Sequence, residues 1–270
     1  MSDRIEESKI SRKPNRYTRI IEDIFTSRWK RGMKELTFER NEIEVVAKNL
    51  KIKLPKNLGD VLYSFRFRNA LPIAISETAE SGKEWIIEMK GRGLYAFRQV
   101  PLSRIRPNPD FEAIKIPDST PEIIRQYAQT DEQALLAIVR YNRLIDIFLG
   151  LTTYSLQNHL RTTVSGRGQI EIDELYVGID KEGRHHVMPV QAKGGNDQIS
   201  VVQTTQDVEF CAAKYSGLAC LPISVQFMDD DRIAMFLLKV EDSTIKIREE
   251  RHYQLVPAKE IDPKDWRPFI

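Results

Sequence analysis

The sequence predicts an α/β protein in two parts. A helical amino-terminal part closes with a small antiparallel ribbon, and a carboxy-terminal core follows in which helices flank a mixed β-sheet. Three observations predict it. Apolar residues recur at helical spacing over 17–29, 37–50 and 58–69, with Ile20, Ile21, Ile24 and Phe25 as the first such set. Pro101, Pro107, Pro109, Pro117 and Pro121 then interrupt every periodic pattern. Beyond them, β-prone runs at 170–179 and 187–192 stand among helical segments.

The chain has 270 residues, 41% apolar and 30% charged, enough to bury a sizeable core. No run approaches the length and apolarity of a membrane span, and the start MSDRIEESKISRKPNR lacks an apolar signal region. Cys211 and Cys220 have no metal-ligand spacing, and His159, His185, His186 and His252 form no cluster. These features predict a cytoplasmic protein with reduced cysteines and no structural zinc. The net charge of +2 hides an asymmetry. Residues 1–117 hold 24 Lys and Arg against 16 Asp and Glu, while 118–270 hold 17 against 23. A basic front half suits a polyanion, and an acidic back half suits a metal-dependent site.

In order, a first helix over 17–29 ends in Arg28-Trp29-Lys30-Arg31, and Thr37 caps a second with Ile43, Val46, Ala47 and Leu50 inward. A third, over 58–69, turns Leu58, Val61, Leu62 and Phe65 inward and shows Asn57, Ser64, Arg66, Arg68 and Asn69 outside. Residues 71–75, 84–89 and 94–100 read as strands, the last two joined at Gly91-Arg92-Gly93. Three helices followed by a ribbon resemble a winged helix-turn-helix domain. That resemblance implies DNA contacts at Asn57, Ser64, Arg66 and Arg68, and at Lys90 and Arg92 near the wing. The expected organisation is a winged-helix-like domain over 1–105, a linker over 106–120 and a second domain over 121–270.

Residues 121–127 and 131–149 read as helices, and 152–164 as a polar segment in which Gln157, Asn158 and Arg161 are candidate DNA contacts. Residues 198–215 read as a helix carrying Gln206 and Phe210. Strands follow over 221–228 and 232–240 around the solvated turn Asp229-Asp230-Asp231, and short closing strands over 245–247 and 252–256.

The stretch that carries chemistry is 169–193, QIEIDELYVGIDKEGRHHVMPVQAK, a hairpin turning at Asp180-Lys181-Glu182-Gly183. It sets Glu171, Asp173 and Glu174 on one strand, then Gln191 and Lys193 on the next. Burying such groups unpaired costs several kcal/mol. A hard divalent cation with oxygen ligands would explain them, and Lys193 shares a strand face with Gln191.

An acid on one strand, a hairpin, and acid-x-Lys on the next is the signature of the PD-(D/E)xK nuclease superfamily, which includes many type II restriction endonucleases. Residues 169–193 resemble the variant with Gln for the second acid, Gln191-Ala192-Lys193. The resemblance implies a restriction-endonuclease-like mixed β-sheet core and Mg²⁺-dependent hydrolysis of double-stranded DNA, with Mn²⁺ as an alternative metal, by a homodimer. It implies Asp173, Gln191, Lys193 and Glu174 as the catalytic set and Asp173, Gln191 and Glu171 as metal ligands, with Glu132 or Asp146 as a further acid from a preceding helix. Other readings are a non-catalytic DNA-binding regulator, a structure-specific repair nuclease, or a hairpin with a purely structural role. Strand parity leaves the acid open. A four-residue loop puts Gln191 on the face of Ile172 and Glu174, and one more residue puts it on the face of Glu171 and Asp173. Asp173 is favoured because Asp is usual there in the resembled superfamily.

Overall fold

Ile20, Ile21, Ile24 and Phe25 fall on one side of α1 (Thr18–Thr26) and are all buried, as their spacing requires. The structure, a computed structural model, describes residues 17–67, 71–101, 105–127, 132–164, 168–194, 199, 201–228, 231–241 and 244–262. The chain divides into two units, residues 1–99 and 100–270.

In the first unit, α1 is followed by β1 (Glu35–Glu39), α2 (Glu42–Asn49) and α3 (Gly59–Phe67). Next come a single turn, α4 (Ile73–Ser76), and the hairpin of β2 (Lys83–Gly91) and β3 (Leu94–Pro101). The sheet order is β1-β3-β2. Thr37, expected to cap the second helix, lies inside β1 instead, paired with Ala96. The helix begins later, where Glu42 Oε1 accepts the Glu39 N–H at 2.7 Å. Residues 71–75, expected as a strand, become α4. Pro72 sits at φ −49°, and its carbonyl accepts the N–H groups of Ile75 and Ser76 at 2.9 and 3.0 Å. Ile43, Val61, Leu62, Ile75, Trp85, Ile87 and Phe97 join α1 in one core.

The second unit begins with β4 (Ala113–Pro117), α5 (Glu122–Tyr127), α6 (Glu132–Tyr141) and α7 (Leu144–Leu149). The expected linker 106–120 therefore contains a strand, paired in parallel with the last strand of the chain. The expected single helix over 131–149 breaks because Arg143 adopts a left-handed φ of 50°. Then follow β5 (Thr152–Val164), β6 (Gly168–Ile179), β7 (His185–Lys193) and α8 (Val201–Lys214). The chain continues through β8 (Ala219–Cys220), β9 (Ile223–Phe227), β10 (Arg232–Glu241) and β11 (Thr244–Val256). The two short closing strands expected from sequence are one, β11, whose pairing shifts opposite Leu237 and Leu238.

The sheet runs β4-β11-β10-β9-β7-β6-β5, with β8 beside β7. It is mixed: β5, β6 and β7 are antiparallel neighbours, whereas β7 and β9 are parallel. A parallel pair needs a crossover, and α8 supplies it. Helices cover both faces. Leu135, Leu136 and Val139 of α6 pack with Tyr176, Met188, Val190 and Ala192. Phe210 and Cys211 of α8 pack with Leu175 and Val187. The fold is thus mixed α/β, and no helix among the described residues is long and apolar enough to cross a membrane.

Candidate functional site

The hairpin register decides what the sequence left open. Glu174 pairs with Val190 and Ile179 with His185, so the loop is the five residues 180–184. Gly183 adopts φ 79° there, which a residue with a Cβ would resist. Continued by one step, this register sets Asp173 level with Gln191. Gln191 lies on the α8 side, where it meets Asp207, while Lys193 reaches Glu132 at the start of α6. Even-numbered Glu174 shares the α6 side with Val190 and Ala192.

Asp173 is 9% exposed, and its Oδ2 accepts the Ala192 N–H at 3.0 Å. Burial raises its pKa, and the nearby Glu171 carboxylate adds to the rise. The Lys193 ammonium and the Ala192 N–H oppose it. Lys193 Nζ lies 3.7 Å from Glu132 Oε1 at the start of α6, so of the two candidate helix acids Glu132 is the one at the site. Asp146 is occupied elsewhere: its carboxylate accepts the Thr153 N–H and hydroxyl, both at 2.9 Å, and pairs with Arg143.

Gln191 is buried and donates through Nε2 to Asp207 Oδ2 in a short contact. Asp207, on α8, is also buried. Its pKa is driven well above the usual carboxylate range, first by burial and further by Asp173, while Gln191 and Lys193 pull the other way. Gln191 Oε1, Asp207 Oδ1 and Ser224 Oγ are buried without a hydrogen-bond partner, and Ser224 is the register partner of Gln191 on β9. Asp207 is absent from the set read from the sequence. A signal was there: it lies three residues after Thr204 and four before Cys211, on the buried stripe of its helix.

Glu174, expected in the catalytic set, belongs to the other face. Its fully buried carboxylate receives Arg140 Nε at 2.9 Å and a short hydrogen bond from the Ser155 hydroxyl. Glu171, expected as a metal ligand, pairs with Arg161 at 3.0 Å. Among the described residues no three His, Cys, Asp or Glu side chains gather as a metal-holding group. The cluster is two carboxylates with an amide between them, an all-oxygen donor set of the kind hard cations take.

The residues expected at DNA are scattered and mostly engaged. Asn57 opens α3, accepting the Gly59 N–H at 3.0 Å and donating to Asp60 Oδ1 at 2.9 Å. Arg66 packs inward, where burial lowers its pKa against the pull of Tyr95, Glu88 and Tyr63. Ser64 also has a polar partner, and Arg68 lies outside the described residues. Arg92 is exposed at the β2–β3 turn, while Lys90 pairs with Glu88 and Glu35. On β5, Asn158 Oδ1 accepts from Arg140 and from the Ser155 hydroxyl. Gln206 and Phe210 are buried on α8.

No family model matches the chain, and no solved structure matches it. A stretch of 72 residues is 39% identical to an N-acetyl-D-glucosamine kinase of Erwinia tasmaniensis, covering 27% of this chain. The chain spans about a quarter of that relative, 23% of its length. The relative is named for a sugar kinase, a different function from cutting DNA, and the DNA endonuclease expected from the sequence is corrected on that finding.

Proposed function

We propose that the second unit is a divalent-metal enzyme of phosphate chemistry built on a PD-(D/E)xK-like core. The observation that carries this is the neighbourhood of Asp173, Gln191 and Lys193 at the end of the β6–β7 pair: Asp173 accepts the Ala192 N–H, the Lys193 ammonium acts on its charge, and Glu132 stands beside that ammonium. The run α6-α7-β5-β6-β7-α8-β8-β9 around them supports the same reading. Asp173 and Gln191 would hold Mg²⁺ or Mn²⁺, since both present oxygen and Gln191 Oε1 has no other partner. A bound ion of this kind withdraws charge from a phosphate. Lys193 would place its ammonium against a phosphate oxygen, and Glu132 would hold that ammonium in place. Because the site is mostly buried, these charges act in a weakly screened environment. The likeness to a kinase supports phosphoryl transfer to a hydroxyl as the reaction class to test first.

The test is phosphorus NMR of the full chain with Mg²⁺ and a panel of phosphoanhydrides, phosphomonoesters and phosphodiesters, with and without N-acetyl-D-glucosamine as acceptor. Metal-dependent product is expected from the wild type, and at least a ~100-fold loss in Lys193→Ala and Asp173→Asn. No product from any substrate, or undiminished product from both variants, refutes the reading.

For the first unit we propose a winged helix-turn-helix domain with double-stranded DNA as partner. The order α1-β1-α2-α3-α4, then a hairpin whose β3 pairs with β1, supports it, as does exposed Arg92 at the turn. Anisotropy of a labelled duplex should show salt-sensitive binding that Arg92→Ala weakens. Binding indifferent to both salt and Arg92 refutes it.

A further inference from the structure

We propose that Asp207, reaching the strand pair from α8, is the second carboxylate of the cation site, in the role the sequence suggested for Glu171. This rests on the reading of Asp173 and Gln191 as metal ligands. Three observations carry it.

The first is that Asp207 has no packing reason to be an acid. It is 2% exposed on a stripe shared with Val202, Phe210 and Cys211, where an apolar side chain would avoid the several kcal/mol that burying a carboxylate costs. The second is that its surroundings satisfy it by halves. Gln191 donates to Oδ2, while Oδ1 is buried without a partner, as are Gln191 Oε1 and Ser224 Oγ. Buried oxygens without donors are rare in a folded protein and call for an explanation such as an ion. The third is charge. Asp207 lies in the field of Asp173, and Lys193, the ammonium acting on both, also pairs with Glu132 at 3.7 Å, so one ammonium faces three acids and a divalent ion would balance what remains.

Glu171 also acts on Asp173, but its carboxylate is matched by the Arg161 guanidinium. The Gln at 191 also becomes intelligible. An amide there gives a cation one oxygen and no charge, and the acid on the neighbouring helix supplies the charge.

The experiment is calorimetric titration of Mn²⁺ into the full-length protein and three isosteric variants, Asp207→Asn, Glu171→Gln and Asp173→Asn. Asp207→Asn is expected to weaken binding by ~10-fold or more, and Glu171→Gln by less than ~3-fold. If Asp173→Asn loses affinity and Asp207→Asn does not, Asp207 is no ligand and the proposal falls while the site stands. If the wild type binds no Mn²⁺, the reading of the site itself fails. Should Asp207→Asn not fold, wild-type protein with ¹³C-labelled aspartate still decides. Saturating Mg²⁺ should shift the Asp207 carboxyl carbon as far as that of Asp173. A shift at Asp173 that spares Asp207 overturns the proposal.

Discussion

Replacing Arg140 with Met asks whether Glu174 is structural, as its position on the α6 face requires. The Glu174 side chain has no solvent exposure, and Arg140, 38% exposed, is its cationic partner. Without Arg140 the carboxylate keeps the Ser155 hydroxyl and the neighbouring Tyr176, with no cation to balance its charge. Stranding one member of a buried pair costs about 3–5 kcal/mol. Water reaching the vacated Arg140 position lowers this to roughly 2–4 kcal/mol. With a urea m-value near 2 kcal/mol/M, the midpoint should fall by about 1–2 M. Far-ultraviolet circular dichroism during urea unfolding measures this. Adding Glu174→Met should restore most of the loss, since an apolar pair of similar volume has no charge to solvate. A midpoint unchanged by Arg140→Met refutes the reasoning, as does a double variant no better than the single one.

Other outcomes follow from the same coordinates. Gly178→Ala should destabilise by about 1–3 kcal/mol, because its Cβ would meet the Thr152 carbonyl oxygen and the Met188 methyl at 3.0 Å between two neighbouring strands; thermal melting checks it. Asp146→Ala removes the acceptor of the Thr153 N–H and hydroxyl. It should cost ~1–2 kcal/mol while leaving Mn²⁺ affinity at its wild-type value, measured by urea unfolding and calorimetry. Glu241 is lowered from 4.5 to about 2 by Lys246 first and Lys239 next. A carboxyl lowered on folding stabilises above its unfolded value and loses that contribution as pH falls from 4.5 towards 2. Glu241→Gln should therefore lower the melting temperature slightly at pH 7 and not at pH 2, and 0.5 M salt should shrink the pH 7 effect. An equal difference at both pH values would contradict the assignment.

Much of the architecture was legible because it is written in local patterns. The spacing of Ile20, Ile24 and Phe25 gave a helix, and the turn at Gly183 between two β-prone runs gave a hairpin. Where the reading slipped, tertiary context outweighed a local preference. Residues 71–75 look like a strand, yet Pro72 and the need to bury Ile75 make a helical turn. Residues 113–117 look like part of a proline-rich linker until β11 offers them a partner.

By itself the sequence determined the hairpin and the company of Gln191 and Lys193, because residues two apart on a strand must share a face. It could not determine which acid faces Gln191, since that turns on a single residue of loop length, nor bring in Asp207, sixteen residues along the chain. Only the tertiary structure decided those, through the five-residue loop that puts Glu174 with Arg140 and Asp173 with Gln191, and through the crossover helix that lowers Asp207 onto the sheet. Strand parity and helix docking are long-range facts, fixed by which apolar surfaces must be covered, and no short window of residues contains them.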